Sequence, residues 1–298
     1  TPCVSPQPTA RKGMTKTLLS FGHGYSARAL ANLLTDDWRI IGTTRSEDKA
    51  AALMASGTEP RIWPGADLKP ALNAATHLLI SAGPSEAGDP VLNELGNELA
   101  ARRDQFEWVG YLSTTGVYGD HQGGWVDENT PLAPSTKRGQ MRVDAEAAWQ
   151  SLGLPLHIFR LAGIYGPGRG PFAKVRNGTA RRIIKEGQVF SRIHVADIAQ
   201  TLAASIAQPN PGAIYNLCDD DPAPPEDVIA HAAELLGLPI PPAKDFATAD
   251  MTPMARSFYA ESKKVRNDRI KTELGISLQY PNYRVGLESL LAAERRST

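Results

Sequence analysis

Thr17-Leu18-Leu19-Ser20-Phe21-Gly22-His23-Gly24-Tyr25-Ser26-Ala27 is the stretch on which the fold turns. A short apolar run stops at Gly22-His23-Gly24, and Ala27, Leu30, Leu33 and Leu34 then continue at helical spacing. Strand, tight turn and helix in that order open a βαβ unit. Gly22-x-Gly24-x-x-Ala27 fits the pattern G-x-G-x-x-G/A. Its glycines permit the turn and let backbone N–H groups, with Tyr25 and Ser26 among them, approach a pyrophosphate at the helix N-terminus. The plain alternative is a strand–helix turn without a ligand, and it loses weight because the same unit repeats downstream.

Outward from that turn, a second strand (Trp38 to Thr43) runs into Thr44-Arg45-Ser46 and the helix Glu47–Ser56. A third strand is placed at Arg61-Ile62-Trp63, leading to Asp67-Leu68. A fourth spans His77–Ser81, followed by Ala82-Gly83. The helix Val91–Arg103 precedes a fifth strand, Phe106–Ser113, and the helix Arg142–Leu152 precedes a sixth, Leu156–Leu161. Apolar strands alternating with helices predict an α/β fold, a Rossmann-type doubly wound parallel sheet covered on both faces. Beyond Gly166 come Gly/Pro-rich loops, a basic stretch from Lys174 to Lys185, the helices Val195–Ala207 and Pro225–Leu236, and the strand Ala213–Leu217. Pro239, Pro241 and Pro242 mark a turn. This pattern predicts a smaller, mainly C-terminal α/β substrate lobe. The expected organisation is a flexible extension over 1–13, a Rossmann domain over 14–166, and the lobe over 167–298, with 193–218 returning to the Rossmann domain.

Cofactor choice in such folds is read at the end of the second strand. An acidic residue there would bind the ribose 2′-hydroxyl. This chain offers Thr44, Arg45 and Ser46 with Lys49 one turn on, which suits a 2′-phosphate. NADP is therefore expected in preference to NAD; the alternative is that Arg45 is simply solvated.

Composition narrows the function classes. The 298 residues carry 32 Lys+Arg against 32 Asp+Glu, and zero net charge argues against a general nucleic-acid surface. Cys3 and Cys218, with no Cys/His cluster, indicate neither a disulfide framework nor a zinc site and suggest a reducing, cytoplasmic setting. No apolar run approaches the ~18 residues of a spanning helix. The acid-free segment before Met14 has the composition of a transit-peptide tail but no apolar stretch or helical pattern, which leaves a targeting remnant and a flexible extension as the two readings. The extension is the preferred one, with Met14 as the candidate start.

Several segments in order carry a family resemblance. Leu112-Ser113-Thr114-Thr115-Gly116-Val117-Tyr118-Gly119-Asp120 resembles the S-S/T-x-x-V-Y-G segment of extended short-chain dehydrogenases/reductases, the NAD-dependent epimerase/dehydratase-like group. Asp127 to Leu132 (DENTPL) is similar to its D-E-x-T-P-L, and Arg160 to Arg169 to its R-x-x-x-x-Y-G-P-G-R. Arg192 to Ala199 (RIHVADIA) resembles R-x-x-H-V-x-D-x-A, one residue tighter at its start, and Ile214 to Leu217 the Y-N strand. The resemblance covers nearly the whole chain. It implies cofactor contacts at Gly22, Gly24, Tyr25, Ser26, Ala27, Thr44, Arg45, Ser46, Asp67, Leu68, Ser81, Ala82, Gly83, Arg142 and Ala162. It also implies substrate contacts at Tyr118 and Arg192, the latter matching a residue that commonly meets a substrate diphosphate. Members often pair through the two helices beside the active site, which here would be Val91–Arg103 and Arg142–Leu152, so the resemblance allows a homodimer and leaves the oligomeric state open.

The chain departs from the family at its chemistry. Where S-P-Y-G-x-x-K-x-x-x-E is expected, it reads Thr136-Lys137-Arg138-Gly139-Gln140-Met141-Arg142-Val143-Asp144-Ala145-Glu146. Arg138 takes the Tyr position and Arg142 the Lys position, while Thr114 keeps the Ser/Thr position. Arginine does not give up its proton at usable pH, so the tyrosine's acid/base work has no carrier at 138. Arg142 retains the capacity to hold a ribose or phosphate. Candidates by type for a replacement donor are Tyr118, His121, Tyr165 and His194, each with a structural alternative. The basic stretch (Lys174, Arg176, Arg181, Arg182, Lys185) reads equally as a phosphate clamp or a solvated helix face. No zinc spacing exists among the six His residues. The sequence thus predicts an NADP-dependent oxidoreductase or a sugar-nucleotide epimerase/dehydratase-like enzyme with a non-standard site. Its substrate is a small molecule, phosphorylated or nucleotide-linked, with no nucleic acid or membrane partner. The alternative is a non-catalytic NAD(P)-binding sensor or scaffold.

Overall fold

The computed structural model describes residues 15–34 and 36–296; the extension expected over 1–13 lies outside them. The first half alternates β1 (Lys16–Phe21), α1 (Tyr25–Ala31), β2 (Trp38–Thr44), α2 (Glu47–Ala55), β3 (Glu59–Ile62), α3 (Lys69–Ala74), β4 (His77–Ile80), α4 (Pro90–Ala101) and β5 (Trp108–Thr114). A short β6 (Trp125–Val126), α5 (Lys137–Gln150) and β7 (Leu156–Leu161) follow. The second half holds β8 (Gly163–Tyr165), α6 (Phe172–Arg176), β9 (Arg182–Ile184), β10 (Arg192–His194), α7 (Val195–Ala207), β11 (Ile214–Leu217) and α8 (Pro225–Leu236). It ends with β12 (Ala243–Asp245), α9 (Pro253–Phe258), β13 (Lys264–Val265), α10 (Asp268–Leu274) and α11 (Tyr283–Arg296).

Seven strands form one sheet in the order β3-β2-β1-β4-β5-β7-β11, every neighbouring pair parallel. The chain steps from β3 at one edge back to β4 beside β1. The order therefore reverses between β1 and β4, and an open α/β sheet has its crevice at the carboxyl ends of those strands. The central strands read as continuous apolar runs because both faces are covered. Alternate residues serve opposite cores. Leu18, Trp108 and Phe159 join Leu30, Leu202 and Tyr215 on one face; Leu19, Val109, Tyr111 and Ile158 join Leu95, Leu99 and Trp149 on the other. Three further two-stranded parallel ladders form: β9–β12 lies within the lobe, while β8–β10 and β6–β13 join it to the first half of the chain.

Buried polar groups lock the elements that flank the crevice. Arg160 on β7 pairs with Glu146 on α5 (Nη2–Oε2 2.7 Å, Nε–Oε1 3.2 Å), with side chains only 4% and 2% exposed. Glu146 also accepts from Ser113 Oγ at 2.5 Å. Arg160 Nη1 donates to the Tyr118 hydroxyl (3.0 Å), which donates to Asn216 Oδ1 (2.7 Å). One network thus joins β5, α5, β7 and β11. On the other side, buried Asp89 caps α4 by accepting from Val91 N (2.9 Å) and Leu92 N (3.1 Å), and its second oxygen accepts from Trp149 Nε1 on α5 (3.0 Å). Asp89→Ala removes the cap and strands a buried indole N–H. The expected loss is about 2–3 kcal/mol by urea titration, and Asp89→Asn should recover part of it.

Most element bounds shift by one or two residues from the sequence expectation, and two shift for a specific reason. Helix α5 begins at Lys137 rather than Arg142, because Thr136 Oγ1 accepts from Gly139 N (3.0 Å) and caps it. Lys-Arg-Gly-Gln carries no apolar periodicity to announce that first turn. Gly139 is there for space, since a Cβ would sit 2.9 Å from Gly116 O and from Pro134 Cβ. Strand β3 ends before Trp63, whose side chain turns inward to meet Phe21 edge-on at 5.7 Å. The Lys174–Lys185 stretch is not a single helix face: it crosses α6 and β9, and three of its side chains bond backbone carbonyls of other segments. Arg182 donates to Pro241 O (3.3 Å), Arg181 to Asp250 O, Lys185 to Tyr259 O, and Arg176 pairs with Glu294.

Candidate active site

The glycine turn lies at the carboxyl end of β1. Gly22 takes φ +74°, and a Cβ there would lie 2.9 Å from Ala82 N. Both facts require glycine. Gly22 N donates to Thr43 Oγ1 (2.8 Å) and His23 N to Thr43 O (2.9 Å), so Thr43 on β2 fixes the turn. The sequence reading chose its neighbour Thr44, which is buried and accepts from Trp63 N through its carbonyl. His23 packs on Gly42, where a Cβ would come within 2.7 Å of its side chain. Burial, with Arg28 nearby, pushes its imidazole down to about 4 and keeps it neutral.

A dinucleotide phosphate needs unspent donors at this turn. Exposed Gly24 starts α1 with no side-chain cap, leaving the first N–H groups of that helix, from Tyr25 to Ala27, available. Ser81 Oγ, at the end of β4, is buried without a partner. These features fit a bound pyrophosphate. The ring of Tyr25 is engaged elsewhere, as its hydroxyl donates to Pro167 O (2.9 Å) and Arg169 lies over it at 5.7 Å. At the end of β2, Arg45 and Lys49 are exposed. Exposed Asp67 accepts from Lys69 N (3.0 Å), whereas Leu68 is 3% exposed and its side chain belongs to the core rather than to a ligand.

Beyond the turn a cavity of about 680 Å³ opens between sheet and lobe. Its sheet side presents Thr114, Arg138, Arg142 and Ala162, and its lobe side presents Tyr165, Arg192, Phe258, Glu261 and Lys263. Arg138 and Arg142 sit one turn apart on α5, as the spacing predicts. Arg142 Nη1 donates to the Tyr111 hydroxyl (3.1 Å) and Leu112 O (2.8 Å), and a Cβ on Gly83 would lie 3.1 Å from its Nη2. Thr114 Oγ1 accepts from Gly116 N (3.1 Å), and its hydroxyl can still donate. Arg192 Nη1 donates to Phe190 O (2.9 Å) and Ala223 O (3.1 Å).

Of the four candidate replacement donors, only Tyr165 lines the cavity. Its hydroxyl faces Asn282 O at 3.5 Å, and burial next to Asp219 and Asp197 pushes the phenol far above its usual range. Tyr118, expected at the substrate, is fully buried in the Arg160 network and is withdrawn from that role. His194 caps α7 through Ala196 N (3.1 Å) beneath Tyr280, and burial brings it to about 4. His121 Nε2 lies 3.1 Å from Tyr118 O.

The structure adds a pair that the sequence reading passed over. Lys263 Nζ, on a side chain 10% exposed, donates to Gly119 O (2.8 Å) and Glu261 Oε2 (2.6 Å), while Glu261 Oε1 accepts from Ser135 Oγ (2.5 Å). An ammonium has three donors, so two protein acceptors leave one for a ligand. The strand β13 that follows Lys263 pairs with β6, and this pairing brings Glu261-Ser262-Lys263 over the start of α5. No local motif announces it. Among the described residues no group of three or more His, Cys, Asp or Glu side chains could hold a metal ion, and no helix is long and apolar enough to cross a membrane.

No family model matches the chain. It is 30% identical over 283 residues to protein YeeZ of Escherichia coli (strain K12), covering 90% of this chain and 97% of that one. A conserved protein of unknown function from Silicibacter pomeroyi DSS superposes with a TM-score of 0.91 at 66% identity, over 94% of this chain and 99% of its own. UDP-glucuronic acid 4-epimerase from Bacillus cereus, solved with NAD, superposes with a TM-score of 0.75 at 16% identity, over 94% and 99% of the two chains. At that identity the likeness is one of fold.

Proposed function

Because the chain belongs to the family of protein YeeZ and has the extended short-chain dehydrogenase/reductase fold of NAD-dependent epimerases and dehydratases, we propose that it is an NADP-dependent oxidoreductase acting on a phosphorylated or nucleotide-linked small molecule. The observation that carries this reading is one cavity, beside the open glycine turn, that holds a hydroxyl at Thr114, cations at Arg142 and Arg192, and a proton-bearing ammonium at Lys263.

The first N–H groups of α1 would hold the pyrophosphate, Arg45 and Lys49 with Ser46 the 2′-phosphate, and Arg142 the nicotinamide ribose. When bound, the cofactor supplies or accepts a hydride. Thr114 orients a substrate oxygen, and Arg192 takes the substrate's phosphate. In the reducing direction Lys263 Nζ gives one proton to that oxygen as a C–H bond forms at the neighbouring carbon, and Lys263 recovers its proton from water. Glu261 and Gly119 O keep the ammonium in place.

Fluorescence titration with NADPH and NADH tests the cofactor reading. Arg45→Ala should weaken NADPH binding about 10–100-fold, the loss of a charge-assisted phosphate contact, and leave NADH within about 2-fold. Equal affinities in the parent protein would remove the NADP preference. The second reading, a non-catalytic cofactor-binding sensor, is favoured by the arginines at 138 and 142. It predicts saturable binding without turnover against a panel of nucleotide sugars and small carbonyls, so steady-state turnover eliminates it.

A further inference from the structure

The cavity carries more positive charge than its own acids neutralise. Arg138, Arg142, Arg192 and Lys263 line it, with Glu261 the sole carboxylate among the lining residues. Glu261 is already engaged by Lys263 and Ser135. Arg142 and Arg192 bond to a phenol and to backbone carbonyls, which are neutral acceptors. Asp219, the acid closest in effect to Arg192, is 1% exposed, and burial pushes its carboxyl up to about 8.

Arg138 is the least engaged of the set. It stands exposed at the mouth of the cavity, one turn before Arg142, with its guanidinium 5.1 Å from the ring centre of exposed Phe258. Among the described residues no acidic side chain forms an ion pair with it. Stacking on an aromatic ring restricts a guanidinium while leaving its N–H fork able to grip a planar or tetrahedral anion in two-point fashion. At about 680 Å³ the space suits a small molecule rather than a macromolecular segment.

We propose that Arg138 is a substrate-anion site: it holds a carboxylate or phosphate group at the mouth of the cavity beside Phe258, so that the substrate carries one anion for Arg138 in addition to the one on Arg192. This deepens the oxidoreductase reading and rests on it only for the chemistry at the reacting carbon. An arginine in the place of a proton-donating tyrosine thereby changes which molecules enter, while the proton comes from elsewhere.

Calorimetric titration with malonate and inorganic phosphate, and with malonamide as the neutral control, tests the site in cofactor-free and NADPH-loaded protein. One of the two anions should bind saturably and malonamide should not. Arg138→Gln should weaken the anion at least ~10-fold, the scale of one charge-assisted pair, while NADPH affinity stays within about 2-fold. The proposal is overturned if neither anion saturates by about 10 mM. It is equally overturned if Arg138→Gln leaves the affinity unchanged while Arg192→Gln abolishes it, which would put the anion on Arg192 alone. Anion binding without any NADPH binding would sink the oxidoreductase reading and leave the anion site standing; NADPH binding without the anion would do the reverse.

Discussion

Arg160→Met should cost about 3–5 kcal/mol of folding stability, because it leaves the Glu146 carboxylate buried without its cation. At 2% exposure water cannot replace the guanidinium, and Ser113 Oγ alone remains as a donor to that carboxylate. The Tyr118 hydroxyl loses its donor in the same step. The same substitution loosens β7 against α5, the helix that carries Arg138 and Arg142, so cofactor affinity should fall as well. The double variant Arg160→Met, Glu146→Leu should recover much of the loss, since apolar packing often matches a buried pair. Urea unfolding reads both, and a single variant within about 1 kcal/mol of the parent would show that the pair is not buried as described.

Lys263→Met should lower turnover about 10²–10⁴-fold, the usual span for a lost general acid, while NADPH affinity remains within about 2-fold. Methionine keeps most of the apolar stem and removes the ammonium with its bonds to Gly119 O and Glu261, so melting temperature is read beside turnover. Glu261→Gln should fall between parent and Lys263→Met, since it loosens the ammonium without deleting it. A merely structural lysine would change melting temperature and leave the pH dependence of kcat alone. If Lys263→Met turns over normally, the proton comes from water or from the substrate, and Lys263 is a strut between Gly119 and Glu261.

Much of the fold is legible in the chain because burial on both faces turns the central strands into apolar runs; edge strand β3, Glu-Pro-Arg-Ile, lacks that mark. The βαβ order, the glycine turn and the helices Val195–Ala207 and Pro225–Leu236 appear in the structure where periodicity puts them. The family-like segments are legible for a different reason. Asp127 N donates to Thr130 Oγ1 in a turn, Glu128 Oε1 accepts from Asn216 N (2.8 Å), His194 caps α7, and Asp197 accepts from Gln279 N and Tyr280 N (2.8 and 3.0 Å). Each role depends on side-chain type at one backbone position, so each leaves a mark in sequence. What escaped detection lacks such a mark: the first turn of α5, where a cap and a glycine stand in for apolar periodicity, and the inward turn of Trp63 after β3.

By itself the sequence determined the doubly wound sheet, the place of the glycine turn, the loss of the Tyr-Lys pair and the arginines in its stead, because local periodicity and backbone requirements are written residue by residue. Only the tertiary structure decided which side chains share a cavity. It removed Tyr118, His121 and His194 from contention, turned most of the basic stretch into loop ties, and set Lys263 and Glu261 facing the same space as Thr114 and Arg138. That last arrangement depends on the pairing of β13 with β6, a contact between segments far apart in the chain. Such contacts are settled by packing of the whole and leave no local pattern to read.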